Sequence, residues 1–322
     1  MQIMGALLLL TFATAGFAQT IEGLGVSGGD GPRGGLGDGA HVVRRARAII
    51  TDALIPYVAN TTRTLAEGPA PVLSYHSHSQ MECKPRRQVI IDTSKNGAQQ
   101  EMVGFGHAWT DSTVEVFNQL EPDLFDQVME DLFGQSGNNM GFMRHTIGSS
   151  DLSGARQYSY DDGPGFNLGE PDPTLSHFSL GVDGTAMAKM IARMGNYKGD
   201  VFLFGSPWSY PGWMKNNALF IAPIINTEDG QFTLANNSFN PAYTQSAINY
   251  FLKYMDAFLE HGVSVNGLTL QNEPLNYQGG YPCMYLDAVD EANLLNQGLG
   301  EGLRERGVKF LSYNHNTVRR DG

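Results

Sequence analysis

From residue 88 onward, short apolar runs of strand length alternate with longer segments of helical periodicity, and this alternation restricts the possible folds more than any other feature. Alternating strands and helices favour a parallel sheet with helices packed outside it. The predicted strands are residues 89–91, 102–106, 140–147, 201–206, 265–270 and 309–313. The predicted helical segments are residues 112–132, 185–194, 245–261 and 287–306.

The segment 245–261 has the clearest helical pattern. Its apolar residues recur at the spacing of one continuous helix face. We therefore expect this helix to bury one face against the sheet, and the residues predicted to form that face are Ile248, Phe251, Leu252, Met255, Phe258 and Leu259.

Polar and aromatic residues follow the predicted strands. They are Trp109 and Asp111, Arg144 and Asp151, Trp208, Asn272 and Glu273, and His315. A doubly wound sheet also binds ligands at its strand ends, but candidates at five successive strand ends favour a closed ring. The sequence therefore predicts an α/β fold, a (β/α)8 TIM barrel. The barrel is incomplete here, with roughly five of its eight strand–helix units. We also expect part of a small β-domain strand on the N-terminal side of the barrel.

The sharpest motif is Leu-Gln-Asn-Glu-Pro at residues 270–274. A glutamic acid at a barrel mouth can protonate a glycosidic oxygen and then activate water, and a neighbouring amide can hydrogen-bond the sugar 2-hydroxyl. The alternative is a surface turn after a strand, stiffened by Pro274.

Four ordered motifs resemble glycoside hydrolase family 30, which includes the glucosylceramidases and the secreted endo-β-1,6-glucanases of fungi. They lie at residues 104–111, 143–151, 205–215 and 271–274, and the likeness covers roughly residues 88–316. The resemblance implies a retaining β-glycosidase that uses no cofactor or metal. Residues 149–153 and 160–162, and the lack of membrane features, favour the β-1,6-glucanase branch, with glucosylceramidase as the alternative.

The resemblance also implies roles for individual residues. Glu273 would be the acid/base and Asn272 its neighbour at the 2-hydroxyl, while Asp111 would hold sugar hydroxyls. Trp208 would flank the sugar ring, Arg144 would support the carboxylates, and Tyr281 would reach the nucleophile. Each has a structural alternative: Asp111 as a helix N-cap, Arg144 in an ion pair, and Trp208, like Trp213, in the core.

The sequence departs from the family pattern in one respect. The family nucleophile is a glutamate near the end of the seventh strand, whereas here residues 312–316 resemble the fifth strand end and no Glu follows Glu305. We therefore expect this chain to lack the nucleophile and to be inactive by itself. Two alternatives remain open: a non-catalytic carbohydrate-binding protein, and a fragment that does not fold alone.

The N-terminal residues 1–18 resemble a secretory signal, with an apolar run at 6–12 and small residues near 16–18, which predicts an extracellular protein. Residues 19–87 form a Gly-rich, poorly readable segment, and 88–322 the partial hydrolase domain. Residues 23–28 match a dinucleotide-binding pattern, which we reject because we expect no strand before them and no helix directly after them.

Composition excludes several partners. A net charge of −12 argues against binding to nucleic acid or anionic membranes. No apolar run is long enough to span a bilayer. His76 and His78 lack a third ligand, so we expect no metal site. Cys83 and Cys283 could pair, but nothing in the sequence places them together, and the sequence does not define an oligomeric state.

Overall fold

The computed structural model describes the backbone of three N-terminal strands, and then residues 95–154, 156–163, 169–224 and 237–312. The chain divides into two compact units, Met1–Glu101 and Met102–Gly322. Several features predicted above lie outside the described residues: residues 1–16 of the signal-like segment, residues 24–28 of the dinucleotide-like match, the strand at 89–91, the His76 and His78 pair, Cys83, and His315.

The first unit contains a small antiparallel sheet. Its strands are β1 (Phe17–Gly23), β2 (Ala46–Asp52) and β3 (Ala66–Glu67), in the order β1-β2-β3. This sheet agrees with the expected small β-element. It also corrects one reason given for rejecting a dinucleotide-binding turn at residues 23–28, because a strand does lead into Gly23. That strand pairs antiparallel with β2, whereas a dinucleotide-binding turn belongs to a parallel strand–helix–strand unit.

The second unit contains a sheet of five parallel strands. They are β4 (Ala108–Trp109), β5 (Phe142–Ile147), β6 (Phe202–Pro207), β7 (Gly267–Leu268) and β8 (Lys309–Phe310). They lie in the sheet in chain order, and each neighbouring pair is parallel. A doubly wound sheet reverses its order at a switch point, so this singly wound order is that of a partial (β/α)8 barrel.

Helices connect these strands. They are α1 (Asp111–Asn118), α2 (Pro122–Phe133), α3 (Gly181–Met194), α4 (Thr244–Glu260), α5 (Ala288–Leu294) and α6 (Gly300–Glu305). A π-helical turn, Leu295–Leu299, separates α5 from α6. Short 3-10 turns occur at Gly212–Met214 and Pro241–Tyr243. The predicted helix 287–306 is therefore interrupted, because Gly298 adopts a non-helical φ of 139°.

The first barrel strand lies later than predicted. Residues 102–106 do not form a strand, and pairing with β5 begins only at Ala108. Val103 and Phe105 are 74% and 52% exposed, so the apolar run that suggested a strand is not a core segment. The Phe105 carbonyl still accepts hydrogen bonds from the Gly141 and Phe142 amides, which guides the chain into the sheet.

Helix α4 buries a face that differs slightly from the predicted one. Ile248, Phe251 and Phe258 are fully buried as expected, but Leu259 is 61% exposed. Tyr250 and Tyr254 are buried instead, at positions that complete the same helix face. The buried face of α4 therefore includes two tyrosines that the apolar pattern did not predict to be buried.

Tyr254 of α4 contacts a buried histidine of β5. Its hydroxyl lies 2.7 Å from His145 Nε2 on β5, and Phe258 stacks on the same imidazole. Gly205 of β6 pairs with His145 in the sheet register. A Cβ at Gly205 would clash with the Tyr254 hydroxyl, so this glycine permits the approach.

Among the described residues, none of the helices is long and apolar enough to cross a membrane.

Candidate active site

Arg144 links three neighbouring strand ends. Its Nη2 donates hydrogen bonds to Ser206 Oγ at 2.8 Å and to Asn272 Oδ1 at 2.7 Å. Its guanidinium carbon lies 4.4 Å from the centre of the Trp208 ring. The planar guanidinium can donate in its plane and stack with its face. One side chain from β5 therefore orients an amide and an indole that follow β7 and β6.

Asn272 is placed by hydrogen bonds that continue beyond the end of β7. The Thr269 amide donates to the Gly205 carbonyl at 3.0 Å, and the Asn272 amide donates to the Pro207 carbonyl at 2.7 Å. The Gln271 side chain donates to the Trp208 carbonyl at 2.6 Å. The segment bearing Asn272 thus follows β6 to its C-terminal end, where parallel α/β folds bind ligands.

Glu273 follows at once, in an unusual backbone conformation. Its φ is +47°, in the left-handed region that non-glycine residues rarely adopt and that is often retained at functional sites. The turn is held by the Asn276 amide, which donates to the Glu273 carbonyl at 2.8 Å. The strained residue and the predicted acid/base are therefore the same residue.

Asn276 joins the Glu273 carboxylate to Tyr281. Its side-chain nitrogen donates to Glu273 Oε2 at 3.0 Å and to the Tyr281 hydroxyl oxygen at 2.5 Å. Asn276 is only 5% exposed, while Glu273 and Tyr281 are half-buried. Burial raises the pKa of Tyr281, and the hydrogen bond from Asn276 offsets the increase only in part, so its hydroxyl remains neutral.

Asp111 lies at the end of β4, as the first residue of α1. The N-cap is Thr110, whose side chain accepts from the Thr113 amide at 3.3 Å, so the interpretation of Asp111 as an N-cap is wrong. The Asp111 carboxylate accepts from Tyr158 Oη at 2.7 Å and Ser153 Oγ at 2.5 Å. Burial raises its pKa, and these two hydrogen bonds offset the increase only in part.

The two tryptophans near the end of β6 differ in their surroundings. Trp213 is 2% exposed, packs edge-on against Tyr243 and donates from Nε1 to the Asp161 carbonyl at 2.9 Å. Trp213 is therefore a core residue. Trp208 is also buried, but it lies outside the main hydrophobic cluster and contacts Arg144.

Lys215 is buried near the site. No role was predicted for it from the sequence, although it is the last residue of the motif at 205–215. Its ammonium donates to Ser209 Oγ and to the carbonyls of Phe220 and Cys283, at 2.9 to 3.1 Å. Burial lowers its pKa to about 7. The three acceptors tie the loop after β6 to the segment that carries Tyr281. Cys283 itself is a free, buried thiol.

Sequence reasoning missed the residues that position the predicted ones. Ser206 holds Arg144, Asn276 holds Glu273, and Tyr158 with Ser153 holds Asp111. Ser206 and Asn276 stand within three residues of Trp208 and Glu273, so proximity to the motifs was an available signal. Tyr158 lies 47 residues from Asp111, and no sequence pattern connects them.

The family model for the glycosyl hydrolase family 30 TIM-barrel domain matches residues 102–307, which include all of these side chains. The chain belongs to glycosyl hydrolase family 30. The family resemblance of the four motifs and the predicted barrel fold are thereby confirmed.

Two curated relatives illustrate the range of the family. Endo-1,6-beta-D-glucanase BGN16.3 of Trichoderma harzianum is 43% identical over 233 residues, covering 72% of this chain and 46% of that protein. Putative glucosylceramidase 3 of Caenorhabditis elegans is 32% identical over 222 residues, covering 67% of this chain and 39% of that protein. This family member therefore spans less than half the length of either relative.

A solved family structure has the same fold. The endo-beta1,6-glucanase BT3312 matches with a TM-score of 0.55 at 24% identity, covering 67% of this chain and 45% of that one. At 24% identity, the structural similarity shows a shared fold and does not by itself show a shared activity. Within that fold, the β5 to β7 strand ends present a carboxylate, an amide, an indole and a guanidinium together, which is a set suited to binding and protonating a sugar.

Proposed function

We propose that the whole protein is a retaining β-glycosidase that cleaves β-1,6-glucan, with Glu273 as the acid/base. One observation carries the proposal: Arg144 holds Asn272 beside Trp208 at the strand ends, directly before the strained Glu273. In a retaining mechanism one carboxylic acid protonates the leaving oxygen and later activates water.

The arrangement around Asn272 supports a role for its amide in the transition state. Arg144 donates a hydrogen bond to the side-chain oxygen of Asn272, which leaves the side-chain nitrogen of Asn272 as the donor toward a ligand. A donor to the sugar 2-hydroxyl is a contact that strengthens in the transition state. We propose this role for Asn272, with Arg144 as the residue that fixes the orientation of the amide.

Asp111, Trp208 and Tyr281 complete the proposed sugar site. Asp111 already accepts two hydroxyl hydrogen bonds, which fix its carboxylate for contact with sugar hydroxyls. Trp208 offers an aromatic wall stiffened by Arg144. Tyr281 contacts Asn276 rather than a second carboxylate in the described residues, so we propose that it also helps to position Glu273.

The relatives favour β-1,6-glucan over glucosylceramide as the substrate. The fungal relative named for endo-1,6-β-glucanase activity is 43% identical, while the nematode relative named as a putative glucosylceramidase is 32% identical. Glucosylceramidase remains the second candidate. We also propose secretion, on the signal-like residues 1–18, which N-terminal sequencing of protein recovered from the medium would test.

The stereochemistry and the substrate can be tested in one assay. The whole protein should release product from a β-1,6-glucan oligomer with the β anomer formed first, and proton NMR of the early product measures this. Glucosylceramide should be cleaved more slowly under the same conditions. A first-formed α anomer would exclude the retaining mechanism, and faster cleavage of glucosylceramide would exclude the proposed substrate.

A further inference from the structure

Asp161 is a buried carboxylate in the loop between β5 and α3, and it is not one of the residues assigned to the sugar site. It is fully buried, and neither of its carboxylate oxygens has a hydrogen-bond partner in the part of the chain that the structure describes. Burying an ionised carboxylate without donors is costly, and such groups are generally paired or bound to metal.

Two further ligand groups face this carboxylate. Ligand atoms of Asp161, Asp172 and His177 all lie within 4.8 Å of one another. Asp172 is buried and His177 is exposed, so one side of the cluster is accessible from solvent. Two carboxylates and an imidazole around a common point form a set that can hold one divalent cation.

Asp172 is fixed in place before any ligand binds. It accepts hydrogen bonds from Thr174 Oγ1 and Ser176 Oγ, each at 3.0 Å, and from the His177 amide at 2.8 Å. His177 Nδ1 also lies 3.1 Å from Asp172 Oδ2, so a cation would replace this direct contact. The groups that hydrogen-bond to a carboxylate ligand form the usual second layer of a metal site, because these bonds orient the coordinating oxygens.

The negative charges of the cluster also favour the binding of a cation. The Asp161 carboxylate is buried and lies beside the Asp172 carboxylate. Burial and a neighbouring negative charge both disfavour an ionised carboxylate, and a divalent cation between the two carboxylates would counter both. Asp162 is not part of this cluster, and its oxygens accept from the Ser159 amide and hydroxyl.

We propose that Asp161, Asp172 and His177 bind one divalent transition-metal cation of the Zn²⁺ class. The imidazole nitrogen distinguishes this set from the all-oxygen ligands that Ca²⁺ and Mg²⁺ prefer. The cation joins residues 159–162 to residues 172–177. Tyr158, three residues before Asp161, donates to Asp111, so the metal stabilises the loop that holds this residue of the sugar site.

The test measures metal content in the full chain, purified without a polyhistidine tag. After equilibration with Zn²⁺ and removal of excess metal, mass spectrometry should find about one Zn²⁺ per chain. Asp161→Asn and His177→Ala should each lose most of it. Two controls should keep it: Asp131→Asn, at an exposed carboxylate on α2, and His261→Ala, at the C-terminal end of α4.

Thermal unfolding separates loss of metal from loss of folding. At free Zn²⁺ about 100 times the Kd, the Tm of the wild-type chain should rise by roughly 5–10 °C over its value in EDTA. Asp161→Asn should show no such rise. In EDTA, however, this variant should be at least as stable as the wild type, because the substitution removes one of two neighbouring buried negative charges.

Three results would overturn the site. The first is a wild-type Zn²⁺ content no higher than that of Asp161→Asn. The second is an equal loss of Zn²⁺ in Asp131→Asn. The third is tighter binding of Ca²⁺ than of Zn²⁺ in the same experiment. None of these readouts depends on glycosidase activity, so they are independent of the proposed function.

Discussion

At the scale of single residues, the proposed acid/base is positioned by a buried side chain beside it. Asn276 donates one hydrogen bond to the Glu273 carboxylate and another to the Tyr281 hydroxyl, and it is nearly fully buried. The left-handed backbone of Glu273 leaves its side chain dependent on such contacts for its direction. Asn276 is therefore a positioning residue in this account.

Replacing Asn276 by Ala should lower turnover of a β-1,6-glucan oligomer by roughly 10- to 100-fold, because misplacement of a catalytic group by about 1 Å has an effect of that order. The loss should be smaller on an aryl β-glucoside with a good leaving group, which needs little protonation. Steady-state kinetics of the whole protein on both substrates measure this difference.

The control for this prediction is Asn296→Ala, at an exposed position of the π-helical turn. It should leave both rates unchanged. If Asn276→Ala slowed both substrates equally while circular dichroism remained native, Asn276 would not act through the acid/base.

At the scale of elements, β5 and α4 form one buried aromatic layer around His145. Burial, and to a smaller extent the charge of Arg144, lowers the pKa of His145 to about 4, although its hydrogen bond to the Thr146 carbonyl acts in the opposite direction. The imidazole is therefore neutral in the folded protein, where it contacts Tyr254 and Phe258.

This layer should make stability depend on pH. An unfolded histidine titrates near 6.5, so between about pH 6.5 and pH 4 this residue binds more protons in the unfolded chain than in the folded one. The contribution of His145 is complete above about pH 6.5 and is lost as pH falls, by roughly 3 kcal/mol in total. Urea unfolding of the chain at pH 7, 5.5 and 4 measures it.

His145→Gln should flatten this dependence, even if it lowers stability at pH 7. His261→Gln, at the half-exposed end of α4, should keep the wild-type slope. An unchanged slope in His145→Gln would place the titrating group elsewhere.

The face of α4 provides a second test at this scale. Phe258→Ala should destabilise the chain by roughly 3–5 kcal/mol, because it removes a fully buried ring. Leu259→Ala, at the adjacent but exposed position, should change stability by no more than about 0.5 kcal/mol. Urea unfolding compares the two, and similar losses would mean that α4 is rotated from its described orientation.

The same helix shows what the sequence could and could not predict. The i, i+3, i+4 pattern predicted the extent of α4 to within one residue at each end. It failed at Leu259, Tyr250 and Tyr254, because the boundary of a buried face depends on the layer against which it packs. The pattern carries no information about the glycine on β6 that admits the Tyr254 hydroxyl.

At the scale of the whole molecule, the strand order follows the chain order, and this brings distant motifs together. Arg144 and Asn272 are 128 residues apart in the sequence and 2.7 Å apart in space. Alternating periodicity predicted this convergence in outline, because parallel strand ends meet on one face of a barrel. The hydrogen-bonded partners of each motif residue needed the three-dimensional structure.

This face is proposed as a sugar site in which Glu273 acts as the acid/base. The most direct measurement compares Glu273→Gln with the wild-type whole protein on two substrates, a β-1,6-glucan oligomer and an aryl β-glucoside with a good leaving group. General acid catalysis contributes roughly 10²- to 10⁴-fold, so glucan turnover should fall by about that factor. The glycosylation step on the aryl glucoside should be much less affected. An equal loss on both substrates, with the fold intact, would remove Glu273 from the acid role and contradict the account.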